Sequence, residues 1–524
     1  MAIWYVSNEA INGYTVGHDT TGNGSAALPY LTLSKAMTMA ANTGDTIYMN
    51  GTLYSANTFP ITKAVNLQPT VAYGTTLRTT STDRGLSITH ALGGTNTVGA
   101  FIIDCAGVNG SPSLGAGTGI RIYSSAVKYN IVLSGTHIIN VKTYGVGCTS
   151  GTLSADITFN NDCRINTITE AAAYTSGLLL SAIGAGAITI TGTISSPGLT
   201  ITASGVDTAT SQDVIAYANA TTGVSLNLTG LVTNTTMSAN NLTKTHYGVL
   251  VKNIPAPYIG NSSFTMTTAQ ALHRFEGIQI TNSSATYNSI GAIVDGVTMS
   301  LTSANTGHAV LIGEESPDGI LDNLTDNAII RNCTITGSDA AATAGYHGLM
   351  LGNNRNGQMY NNTVSRVKIG LLTKEGTGHI VYNNTTSYIP VGGQHLRAKA
   401  ATTNFYSNTC NASVGYAGTF ISNTENDAAS RFSASTFRWN KLLNPSNIAM
   451  SSLYCPTGNT IYMFNNIYQG TGVLSFVYGA TTYASLKLWK IAHIEKFNMP
   501  SHNIWVRSGS RRLLSNRITA TYTV

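Results

Sequence analysis

A hexapeptide of the form Gly, apolar, any, apolar, polar, often ending in Asn or Ser, returns along most of this chain. A repeat of that kind constrains a fold more than any single motif does. It reads GLSITH at 85, GIRIYS at 119, GVGCTS at 145, GLLLSA at 177, a degenerate DVIAYA at 213, GVLVKN at 248, GIQITN at 277, AVLIGE at 309, GLMLGN at 348 and GLLTKE at 370. Fainter copies are HLRAKA at 395 and GTFISN at 418. Each copy alternates with period two, as a strand with one buried face does. Between the later copies lies a second pattern: IIRNCTITG at 329, QMYNNTVSR at 358, HIVYNNTTS at 379, TNFYSNTCN at 403 and IYMFNNIYQ at 461. Asn in mid-strand is unfavourable. It becomes sensible where the chain turns a corner, because Asn tolerates left-handed φ and bonds neighbouring backbone. Stacked corners then let Asn side chains bond one another from coil to coil.

The spacing between hexapeptide copies varies from 22 to 39 residues. A solenoid absorbs such variation by lengthening loops, whereas a propeller holds a steadier period. The reading is therefore an all-β, single-stranded parallel β-helix of about thirteen coils. Composition agrees. Only 10 % of the 524 residues are charged and 53 are Gly, which argues against a helical surface of Lys, Glu and Arg. Apolar residues are 42 % and recur in short runs, which excludes disorder. No apolar run reaches the length of a membrane-spanning helix, so no membrane insertion is expected. MAIWYVSNEA has no signal-peptide pattern. The six Cys (105, 148, 163, 333, 410 and 455) form no C-x-x-C, and read as free buried thiols. The segment from Ser485 to Val524 holds seven Lys or Arg and one Glu, and so carries the whole net charge of +6. The body shows no basic footprint for nucleic acid.

Near the start, TLSKAMTMAANTGDTIYMNGTLY reads as an amphipathic helix near Leu31 to Ala41, a turn at Gly44-Asp45 and a strand. Leu31, Leu33, Ala36, Met37 and Ala40 share its apolar face. An open solenoid end exposes strand edges, so this segment is expected to be a cap. The division expected is 1–80 for the cap and first coils, 81–480 for the β-helix and 481–524 for a basic closing segment. The stretch WYVSNEAINGYTVG…LPYLTLSKAMTMAANTGDTIYMNGTLY resembles the N-terminal cap of right-handed parallel β-helix proteins of the pectate-lyase-like superfamily. TTYASLKLWK at 481 is similar to a segment that closes many such helices. The resemblance implies a right-handed coil. It does not imply one chemistry, because the superfamily includes lyases, glycoside hydrolases, adhesins and bacteriophage tailspikes.

Aligned copies define columns along the coil. The sixth column reads Asn253, Asn282, Glu314, Asn353, Glu375, and the position before the repeat reads Tyr247, Glu276, His308, His347. In so uncharged a chain the titratable groups between 276 and 399 are the main functional hint. Glycan hydrolysis needs two carboxyl groups roughly 5–9.5 Å apart. Glu276, Glu314 and Glu375 are the candidates, against the plainer reading of solvated loop carboxylates. Lyase chemistry would use a base such as His308 or His347, with a cation neutralising a uronate. Arg355, Lys374, Arg397, Tyr346 and Tyr388 are candidate substrate-binding residues, and Tyr416 is a further surface aromatic. Tyr360, Tyr382, Tyr406 and Tyr462 sit beside corner Asn and are expected to stack between coils. Glu314, Glu315, Asp318, Asp322 and Asp326 match no calcium-binding spacing, so no metal or other cofactor is expected. Polygalacturonase-like hydrolases carry N-T-D, D-D, G-H-G and R-I-K. Here Tyr346-His347-Gly348 and Arg366-Val367-Lys368 occur without the two carboxylate motifs, and the pectate-lyase W-x-D-H is absent.

These features resemble a bacteriophage tailspike or tail-fibre β-helix that recognises host surface polysaccharide, with cleavage of it as a further capability. That resemblance implies a homotrimer associated with other virion proteins, assembled in the host cytoplasm and working on the virion. The alternatives are a free polysaccharide lyase or glycoside hydrolase, and a non-catalytic adhesin.

Overall fold

The structure, a computed structural model, describes residues 1–40, 43–79, 85–89, 93–106, 118–123, 127–148, 153–169, 176–180, 183–205, 218–219, 224–237, 245–268, 273–282, 290–301, 305–313, 325–400, 402–413, 416, 418–423, 434–444, 450–455, 460–464, 466–470, 474–478, 481–483, 506–507 and 519–521. The chain divides into two compact units, Met1–Ala269 and Gln270–Val524. Each is a right-handed parallel β-helix, the hand that parallel crossovers take.

In the first unit Ile3–Ser7 pairs with Thr43–Ser55, Ile3 opposite Thr46 and Ser7 opposite Asn50. Helix α1 (Leu33–Met39) is capped by Thr32, whose side chain accepts from the Lys35 N–H. It buries Leu33, Ala36 and Met37. The helix is shorter than the apolar pattern suggested, and the strand takes in Gly44 at φ +79 instead of starting after it. Three-strand coils follow, such as Tyr129–Ser134, His137–Val141 and Tyr144–Cys148. Identical registers stack apolar side chains, with Ile131 opposite Ile157 and Leu133 opposite Phe159.

In the second unit, residues 325–400 show the coil without interruption. A short strand (Gln358–Tyr360) turns at Asn361 into a second (Thr363–Ser365), and a corner leads to a third. The third strands stack into one sheet, labelled β1 (His273–Thr281), β2 (Asn305–Ile312), β3 (Tyr346–Arg355), β4 (Ile369–Thr377), β5 (Gln394–Lys399) and β6 (Thr419–Asn423). The first corner repeats in successive described coils. Asn332, Asn361, Asn383, Ser407 and Trp439 all take φ between +53 and +57. The next residue is buried. The Asn362 N–H and side-chain amide both donate to Asn384 Oδ1, at 3.0 and 2.8 Å. Asn384 donates likewise to Asn408, Asn408 to Asn440, and Asn440 to Asn466. Each of these side chains also donates to a backbone carbonyl, as Asn408 does to Val381 at 2.9 Å. The Asn-to-Asn bonding expected at the corners is therefore present, and Trp439-Asn440 adds a corner that the Asn-Asn pattern did not reveal. Inside, Ile330, Met359, Val381, Phe405 and Phe437 stand in register and fully buried. The Phe405 and Phe437 rings stack 4.7 Å apart.

Most hexapeptide copies align in frame, with Ile278 opposite Val310, Leu349 opposite Leu371 and Leu371 opposite Leu396. Two are out by two residues. Ala218 pairs with Val251, and Leu396 with Ile421, so the copies read at 213 and 418 begin two residues too early. A shift of two keeps each side chain on its face, which is why alternation could not detect it. Five described Cys are free and buried, and burial pushes the Cys105, Cys333 and Cys410 thiols up to about 12. No helix among the described residues is long and apolar enough to cross a membrane.

Asn408→Ala should cost about 2–4 kcal/mol in urea unfolding, because it strands two donors of Asn384 and the Val381 carbonyl. A change below about 0.5 kcal/mol would show that water replaces the Asn stack.

Candidate functional site

The site starts with an invagination of charge into the third sheet. Glu276 on β1 is fully buried. Its Oε2 accepts from the His308 backbone N–H and lies 3.0 Å from His308 Nδ1, and its Oε1 accepts from Arg274 Nε at 3.0 Å. A buried carboxylate is tolerable when it is so completely bonded. Arg274 is two residues before Glu276 and therefore on the same face of the strand. The sequence reading passed over it, although that i, i+2 spacing was the available signal. Gly307, at φ +111, makes the arrangement possible. A Cβ there would lie 2.3 Å from the Phe275 carbonyl oxygen and 3.1 Å from Glu276 Oε1.

The chain of bonds continues. His308 on β2 is directly opposite His347 on β3, and its Nε2 lies 3.1 Å from His347 Nδ1. The rings meet edge to face, 4.9 Å between centroids. With both rings neutral, these contacts are satisfied by Nδ1–H of His308 to the carboxylate and Nδ1–H of His347 to His308 Nε2. That leaves the His347 Nε2 lone pair, on a partly exposed ring, without a partner among the described residues. Burial holds the His347 imidazolium well below the usual His range, helped by His308, Arg397, Arg274 and Lys374. His347 is thus a neutral imidazole backed by a buried carboxylate and surrounded by cations. The neutral form is the one that accepts a proton: burial and the cations oppose its protonation, and the line of bonds to the Glu276 carboxylate favours it.

The other candidates fall in different places. Tyr346 is no surface residue: it is fully buried and its hydroxyl lies 3.8 Å from Met299 Sδ. Burial and the Glu276 charge hold its phenol well above the ordinary value. Glu375 stands in the column with Asn353, between the pairs Gly352–Lys374 and Asn354–Gly376. Asn253, Asn353 and Glu375 take φ +57, +47 and +54, so this column is a left-handed corner. The Glu375 carboxylate is buried 3.6 Å from Lys374 Nζ. Arg355 is exposed and bonded to Asp326, Nε to Oδ1 at 2.9 Å. Arg397, opposite Leu372, is partly exposed. Glu314, Glu315, Asp318 and Asp322 lie outside the described residues. Tyr360, Tyr382 and Tyr406 stack at 4.8 and 4.9 Å, with Arg331 bonded to Tyr360 and Arg438 over Tyr406. Tyr388 is 42 % exposed beside Arg366 and Tyr416.

No family model and no curated protein matches this chain. Among solved structures it is similar to the receptor-binding protein of bacteriophage Det7, a podoviral tailspike in a myovirus, at 11 % identity over 84 % of this chain and 76 % of that one, TM-score 0.26. It is similar to the siphovirus 9NA tailspike receptor-binding domain at 10 % identity over 87 % and 76 %, TM-score 0.29. A GH136 lacto-N-biosidase from Eubacterium ramulus matches at 10 % identity over 92 % and 68 %, TM-score 0.19.

Burial holds two further imidazoles neutral, His379 at about 4 and His395 at about 3. Above pH about 6.5 neither folded nor unfolded chain binds these protons; below it the unfolded chain does and the folded one does not. Stability should therefore fall by on the order of a few kcal/mol from pH about 6.5 to about 4, read as the urea midpoint against pH. A flat midpoint over that range would mean that these rings are solvated.

Proposed function

We propose that this chain is a tailspike-type virion protein that binds an acidic host-surface polysaccharide along β1–β6 and cleaves it by β-elimination, with His347 as the base. The observation that carries the reading is the series of bonds from Glu276 through His308 to His347 among Arg274, Arg397 and Lys374. In a uronate the proton beside the carboxylate is acidic only when that carboxylate is neutralised. Arg397 supplies the neutralising charge, and His347 Nε2 takes the proton from C5. The C4–O4 bond breaks, a C4–C5 double bond forms, and the departing oxygen takes a proton from water. Glu276 keeps His308 in the tautomer that leaves His347 Nε2 free, so it is a positioning residue.

Hydrolysis by two carboxyl groups has less support. Glu276 already accepts three hydrogen bonds, and Glu375 is buried beside Lys374. The virion setting rests on the Lys-poor, Thr- and Asn-rich coils, which suit a protein that works outside a cell. In that setting three copies associate with one another and with other tail proteins, and the host glycan is the receptor.

The test uses polygalacturonate, alginate, hyaluronan and bacterial capsular polysaccharides, with unsaturated ends followed by ultraviolet absorbance. His347→Gln should slow their appearance by about 10³-fold while glycan binding persists, and Glu276→Gln by about 10- to 100-fold. New reducing ends without unsaturation would overturn elimination in favour of hydrolysis. Binding without cleavage of any substrate would leave a receptor-binding protein only.

A further inference from the structure

The coils at 358–377 and 380–399 turn a second corner, between their second and third strands. Thr363–Ser365 and Thr385–Ser387 pair with Ser365 opposite Ser387, so Arg366 and Tyr388 hold the same corner position in successive coils. Both are left-handed, at φ +55 and +53. Gly or Asn would hold that conformation without strain, and an aromatic side chain there is uncommon. What the strained position achieves is display. Tyr388 is 42 % and nearby Val391 71 % exposed, in a unit whose large apolar residues are otherwise mostly buried.

The groups around Tyr388 form a built surface. Arg366 lies over its ring at 4.9 Å. Tyr416 meets it edge to face at 5.2 Å. Helix α2 (Asp339–Ala344), capped by Ser338, brings Asp339 to the same corner. Asp339 accepts from Arg366 Nη1 at 2.7 Å and from the Tyr416 hydroxyl at 2.5 Å. Three residues beyond Arg366, Ile369 pairs with His347, so this corner runs along the strand edge that carries the imidazole.

We infer that Asp339, Arg366, Tyr388 and Tyr416 form a second saccharide subsite, selective for an uncharged pyranose. A flat exposed ring suits the apolar face of a sugar. Beside it stand a carboxylate, a guanidinium and a phenol, which can accept from and donate to ring hydroxyls. Asp339 and Arg366 cancel each other's charge, so the corner offers an acidic sugar no net attraction. The surroundings of His347, in contrast, are cationic. This inference rests on the reading that the edge of the third sheet takes a glycan, and it narrows the substrate to a heteropolysaccharide in which acidic and neutral sugars are joined.

Saturation-transfer NMR on the full chain tests it, with methyl glycosides of glucose, galactose and N-acetylglucosamine and, separately, sodium glucuronate. At least one neutral glycoside should receive saturation. Its signal should fall about fivefold in Tyr388→Asn, the loss of one ring stack, and stay unchanged in His347→Gln. Because Asn accepts left-handed φ, Tyr388→Asn should unfold at a temperature no lower than the parent, which separates lost binding from lost fold. Glucuronate transfer should depend on Arg397 and not on Tyr388. A neutral signal that is absent, or unchanged in Tyr388→Asn, overturns the subsite. If the neutral signal depends on Tyr388 while glucuronate gives none, the subsite stands and the acidic-glycan reading falls.

Discussion

A left-handed residue at the first corner, followed from Asn361 onward by a buried asparagine, is the constraint on which the second unit depends. The turn between the first two strands is so tight that its backbone groups lie against the core. Buried N–H and C=O groups must be paired. The Asn series from Asn362 to Asn466 meets that demand: Asn384, Asn408, Asn440 and Asn466 each accept two bonds from the coil before, Asn362 accepts one from the Cys333 N–H, and each donates to a carbonyl of that coil. The same bonds fix the register. A slip of one residue would expose the Met359, Val381 and Phe405 stack and bury its polar neighbours.

Register is what lets a coil carry chemistry. Neighbouring strands stand about 4.8 Å apart, so residues in one column sit at hydrogen-bonding reach through their side chains. Glu276, His308 and His347 are 32 and 39 residues apart in sequence, yet they form one connected line. A charged group in such an apolar wall is costly unless paired. Glu276 is accommodated because Arg274 approaches from solvent, with nearly half of its side chain exposed, and because Gly307 leaves room for the carboxylate.

Most of this was legible in columns and little of it in single residues. Alternation and recurrent Asn gave the coil, and alignment put His308 beside His347 and Glu276 before them. The buried state of Tyr346 was hidden, because its position just inside a strand looks the same whether the ring turns inward to Met299 or outward. The frame errors near 213 and 418 came from the period itself, since two residues restore the face. Arg366 was read only as part of an R-x-K fragment. Its meeting with Asp339 depends on a short helix inserted between strands, and no repeat reports an insertion.

The left-handed residues divide into two groups that differ in purpose. Where the corner only has to turn, the chain uses Asn, as at Asn253, Asn332, Asn353, Asn361 and Asn383. From 366 to 439 the same conformation is given to Arg366, Glu375, Tyr388, Ser407 and Trp439. Bulky residues pay a conformational penalty at such positions, and it persists only where the surrounding structure over-determines the turn. The Asn stack and the strand registers supply that over-determination. The coil can therefore place large polar and aromatic side chains at corners that shape alone would give to Asn, and Trp439, half exposed with Arg438 packed 5.0 Å from its ring, shows the same use. Rigidity in the buried Asn ladder and freedom of residue choice at the left-handed positions are two consequences of the same bonds.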